Sequence, residues 1–113
     1  MTIDFQTLLK TIESGVIEAA VKDATAFAEQ TAADAAAFVA ASTVSISNYV
    51  SLYIAKSITA DELKTLLLGL GELAEMKGLT EAGLAEIEIE KIRDAALQAL
   101  ASIVGAAVKS AIA

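Results

Sequence analysis

Apolar residues recur three or four positions apart along most of the chain, the spacing that lines one face of an α-helix. Leu63, Leu66, Leu67, Leu70, Leu73 and Ala74 follow it, and Leu84, Ile87, Ile92, Ala96, Ala99, Ile103 and Ala107 mark the expected buried face of a later helix. Alanine and leucine are strong helix formers, and the chain has no proline to stop them. The pattern predicts one all-α domain over residues 1–113, built of long antiparallel helices as a hairpin or bundle, with alanine-rich interfaces and no β-sheet.

Three helices are expected. The first covers residues 4–57, with Asp4 or Thr2 as its N-cap. Within it Phe5, Val16, Phe27, Phe38 and Tyr49 recur every 11 residues, a repeat of 3.67 residues per turn. Unbroken, it would be about 80 Å long, far beyond an ordinary globular helix. A bend is therefore expected at 42–48, where hydroxyl and β-branched side chains lower helix propensity. The second helix covers 60–77. Thr59 and Glu62 have the spacing of a capping box, and Gly78 suits its C-terminus. Gly69 and Gly71 weaken this helix and mark close packing against a neighbour. The third covers 80–112, with Thr80 as cap and Glu81 in its first turn. The short connections 57–59 and 78–80 predict antiparallel neighbours.

Charge alters this picture at one place. Between Asp34 and Lys56 lie 21 residues without an Asp, Glu, Lys or Arg. About 20 such residues are enough to cross a bilayer as a helix. They are equally enough to form the dry side of a helical assembly. Ser42, Thr43, Ser45, Ser47, Asn48 and Ser51 fall inside the run, which makes it a poor solitary span. In a bundle those groups can bond to neighbouring helices. The chain's end, ALASIVGAAVKSAIA, is similarly apolar.

Composition points the same way. Alanine supplies 25 of 113 residues, and the only aromatic residues are Phe5, Phe27, Phe38, Tyr49 and Tyr53. An alanine interface lets backbones approach closely but buries little area per contact, so long interfaces or self-association are expected to compensate. The mean hydropathy of +0.62 is high for a soluble monomer. The net charge of −7, without a Lys/Arg cluster, argues against nucleic-acid binding and against attraction to anionic lipid.

Candidate chemistry is sparse. Histidine and cysteine are both absent, which removes the commonest acid–base and nucleophilic groups and any thiolate metal site. Ser51 and Lys56 are five apart and point in different directions on a helix. Glu86, Glu90 and Asp94 share a helix face, but without histidine the helical di-iron pattern is not met, and a solvated charged face is expected. The GxG at Gly69–Gly71 lacks the strand that precedes a phosphate loop. No catalysis, metal, cofactor, nucleic acid or small-molecule substrate is expected. The N-terminus, MTIDFQTLLK, is not a signal peptide, so a cytoplasmic, assembled or membrane-inserted location is expected.

The leading expectation is a non-enzymatic structural protein that self-associates into an oligomer, coat or filament. Phe27, Ala36, Phe38, Ala40, Tyr49 and Tyr53 are the predicted self-association face. A first alternative is a small membrane-inserted pore or holin-like protein using 35–55 and 95–113 as apolar spans in contact with lipid. A second is a soluble helical protein that binds another protein.

Overall fold

The computed structural model describes residues 4–22, 27–73 and 76–112. The fold is all-α, with no strand among these residues. Five helices are packed together: α1 (Phe5–Lys22), α2 (Ala28–Ile54), α3 (Ala60–Leu68), α4 (Lys77–Glu81) and α5 (Glu86–Ile112). A 3-10 segment, Gly69–Leu73, follows α3.

The helices form an up-down-up-down bundle. Asp4, Thr7 and Leu8 lie beside Ala106 and Ala107, and Gly15 lies against Ile103, so α1 runs antiparallel to α5. Consecutive α1 and α2 also pack along each other. The third leg is composite. α3 starts beside the C-terminal half of α5, Gly71 meets Leu97, and α4 ends the leg beside Asp34 of α2. A 27-residue helix is about 40 Å long, and the molecule measures 45 × 22 × 19 Å.

The core is a stripe from each leg. α1 gives Leu8, Ile12, Val16 and Ala20, and α2 gives Ala35, Phe38, Val39, Ile46 and Val50. Leu63, Leu67 and Leu79 come from the return leg, and Ile92, Ala96, Leu100, Val104 and Val108 from α5. The 11-residue repeat reads out here: Val16 and Phe38 are in the core, and Phe5, Phe27 and Tyr49 pack on it.

The expected helix boundaries need correction in four places. The predicted 4–57 helix is represented by α1, Phe5–Lys22, and α2, Ala28–Ile54, and residues 23–26 lie outside the described residues. The bend expected at 42–48 is absent: α2 is continuous there, and Thr43 donates its hydroxyl to the Val39 carbonyl at 3.0 Å. Low propensity costs about 0.5 kcal/mol per residue, whereas each buried Phe, Ile or Val side chain contributes about 1.5–3 kcal/mol, so packing prevails.

α2 stops later, at a Schellman motif. Ser57 N–H donates to Leu52 and Lys56 N–H to Tyr53, with Lys56 left-handed at φ 64°. The predicted 60–77 helix stays α-helical only to Leu68, because two glycines follow at 69 and 71. The third helix begins at Glu86 and not at residue 80. Thr80 sits inside α4, its hydroxyl donating to the Met76 carbonyl. The C-terminal glycine of α4 is Gly83, at φ 85°, with Leu84 N–H donating to Leu79 and Gly83 N–H to Thr80.

Two caps agree with the sequence. Thr59 accepts from Glu62 N–H at 3.1 Å while the Glu62 carboxylate accepts from Thr59 N–H at 2.9 Å. Asp4 caps α1 through Thr7 N–H and the Thr7 hydroxyl.

Candidate self-association surface

The charge-free run forms most of α2, and the bundle divides it lengthwise. Phe38, Val39, Ile46 and Val50 turn inward, with Phe38 2% exposed and Ile46 fully buried. The outward side carries Ala33, Ala37, Ala40, Ala41, Val44, Asn48, Ser51 and Leu52. These alternate mainly by threes and fours and form a straight stripe about 30 Å long. None of these eight exposed residues is charged. On α1 the exposed positions include Lys10, Glu13, Glu18 and Lys22.

The stripe is not only small. Val44 is 71% exposed and Leu52 41%. Scattered exposed apolar residues are ordinary on a soluble protein. Here they share one face with four alanines, and charge appears only beyond the two ends of the stripe, at Glu29 and Lys56. The inward part of the run is accounted for by the core, and the outward part is not.

The six predicted face residues separate accordingly. Ala40 is exposed on the outward stripe. Ala36 is half-buried at its edge. Phe38 faces the core, so it cannot meet a second molecule while the bundle is closed. Phe27, Tyr49 and Tyr53 are half-buried and packed on the core. The stripe residues that the sequence reading missed follow from the buried set: they lie about half a turn from Phe38, Ile46 and Val50. Ile87 is a further correction. It was expected inside, and it is 64% exposed. The buried face of α5 runs through Ile89, Ile92, Ala96 and Leu100, and Ile87 is about 140° away from Ile92 on the helix.

Two buried hydroxyls on α2, Thr31 Oγ1 and Ser42 Oγ, have no hydrogen-bond partner. Asp34 is the last charge before the run, and its carboxylate accepts hydrogen bonds from Gly78 N–H and Leu79 N–H. It thus caps α4 from a different helix.

Glu86, Glu90 and Asp94 are exposed along α5, and Lys91 pairs with Glu88 at 3.8 Å. Among the described residues no group of three or more acidic side chains is placed to hold a metal ion. α2 is long and apolar enough to cross a membrane by length and composition, although a third of its most apolar window is buried in the bundle. The chain matches no protein-family model, no curated protein and no solved structure.

Proposed function

We propose that this chain is a non-enzymatic structural protein whose folded bundle self-associates through the outward face of α2, as the subunit of an oligomer, coat or filament. The observation that carries this is the exposed, uncharged stripe from Ala33 to Leu52, with Val44 at its centre. Alanines at 33, 37, 40 and 41 let a second helix approach closely, and Val44 and Leu52 supply apolar area. Asn48 and Ser51 on the same stripe can bond across such a contact.

The alternative is contact with lipid, favoured by the length and composition of α2. The outward residues fit it less well. A closed bundle offers lipid mostly Ala, Ser and Asn, while Phe38, Ile46 and Val50 are used in its own core. A lipid-spanning α2 requires the bundle to open.

Sedimentation equilibrium without detergent tests the proposal. The wild type should exceed the subunit mass of 11.6 kDa, increasingly with concentration. Val44→Glu should lower that average mass while the circular dichroism stays helical. A wild type that sediments as a monomer throughout contradicts self-association and favours a different protein partner. A wild type that is insoluble until detergent is added favours the membrane alternative.

A further inference from the structure

α5 carries a knob and a groove on one face. The knob is Ile87, exposed and flanked by Glu86 and Glu88. The groove lies between α3 and α5, has a volume of about 450 Å³, and is walled by Leu63, Leu67, Ala101 and Gly105. A Cβ placed at Gly105 would meet nothing within 4 Å, so the groove is open there. Residues 87 and 105 are 18 apart, which is five helical turns, and so lie on the same side of α5 about 27 Å apart.

Charge divides along the same axis. The knob end has four acids, Glu86, Glu88, Glu90 and Asp94, against two bases, Lys91 and Arg93. At the groove end Lys64 and Lys109 line the opening, against Asp61. In a chain of net charge −7 this is a locally basic rim.

We infer that α5 pairs antiparallel with α5 of a second copy, about a two-fold axis midway between Ile87 and Gly105, with each Ile87 seated in the other copy's α3–α5 groove. Because knob and groove share a face, the rotation that seats one seats the other, as a self-complementary two-fold contact requires. The same rotation carries the acidic end of each α5 to the Lys64 and Lys109 rim of its neighbour. A parallel pairing sets acid against acid and leaves both grooves empty. It also aligns the helix dipoles, which the antiparallel pair opposes.

The footprint is about 33 Å long, and at about 15 Å wide it covers about 500 Å² per copy, so the contact belongs with small, reversible interfaces. The groove lies on the α3–α5 side of the bundle, and Tyr53 alone of α2 lines it. The inference therefore stands apart from the α2 proposal. A two-fold α5 contact together with a separate α2 contact on one subunit would let assembly extend beyond a dimer.

The test is made in full-length protein carrying Val44→Glu, which disables the α2 contact. Sedimentation equilibrium should still show a dimer, weakened as salt is raised. Adding Ile87→Glu should raise the dimer dissociation constant tenfold or more. Gly105→Leu should do the same while leaving the helix intact, since it fills the groove and improves helix propensity. Lys109→Glu should weaken the dimer, and adding Glu86→Lys to it should restore association. A Val44→Glu protein that is monomeric at every concentration overturns the α5 pairing and leaves any wild-type assembly to α2. So does a dimer unchanged by Ile87→Glu and Gly105→Leu.

Discussion

The carboxylate of Asp34, on α2, accepts a hydrogen bond from the backbone N–H of Gly78 at 2.9 Å, across 44 residues of sequence. With Leu79 N–H donating at 2.8 Å, it satisfies two donors in the first turn of α4. One side chain thus fixes the end of the return leg to the start of the charge-free run.

The contact gives an unusual prediction for a helical glycine. Gly→Ala inside a helix ordinarily stabilises by about 1 kcal/mol. At Gly78 the new Cβ would lie 2.8 Å from Asp34 Oδ1 and push the carboxylate away. Gly78→Ala should therefore destabilise the wild type in urea unfolding. Asp34→Ala should cost about 1–2 kcal/mol through the lost cap. In the Asp34→Ala background Gly78→Ala should become neutral or stabilising, and that sign change is the check.

The two buried hydroxyls predict the reverse of the usual core result. Phe38→Ala should cost about 3–5 kcal/mol through lost burial and the cavity left behind. Ser42→Ala removes a buried oxygen that has no partner. It should be neutral or stabilise by about 1 kcal/mol, since an unpaired buried polar group costs about 1–3 kcal/mol. A large loss from Ser42→Ala in urea unfolding would mean that the hydroxyl is bonded.

How far the sequence carried differs between local and distant effects. The Thr59–Glu62 box and the Asp4 cap were legible because donor and acceptor are three residues apart. The amphipathic spacing gave the core faces of the second leg at Leu63, Leu67 and Leu70. The start of α5 was misjudged because the cap of α4 comes from Asp34, which no local pattern around Thr80 reveals. Continuity through 42–48 was missed because propensity is local, whereas burial of Ile46 depends on three other legs. For the candidate surface, the charge-free run was visible. Its division into buried and exposed halves was not, because alanine fits either side of a helix and leaves no periodic trace. Ile87 was misplaced for a similar reason: Ile87, Ile89 and Ile92 offer two apolar registers, and packing against the bundle selects one.

Acid should weaken the N-terminal cap of α1. The Thr7 hydroxyl and then the Thr7 N–H bond the Asp4 carboxylate, which holds its pKa below the ordinary value. A carboxylate whose pKa is lower folded than unfolded stabilises the fold above its unfolded value, about 3.9, and loses that contribution as pH falls through the folded value. Asp4→Asn keeps a capping oxygen but does not titrate. The stability difference between wild type and Asp4→Asn should thus shift against the wild type between pH 5.5 and pH 2.5 in urea titrations. A difference that is constant with pH would contradict the assignment.

Self-association through α2 is tested most directly by the methyl groups already on its outward face. A soluble paramagnetic agent broadens methyl signals in proportion to their exposure. At low protein concentration Ala37, Ala41 and Val44 should be broadened as strongly as Thr11, which is exposed on α1. As concentration rises without detergent, the three α2 methyls should become protected while Thr11 does not. If Ala37, Ala41 and Val44 remain as accessible as Thr11 at every concentration, this face joins no second copy and the proposed function is wrong.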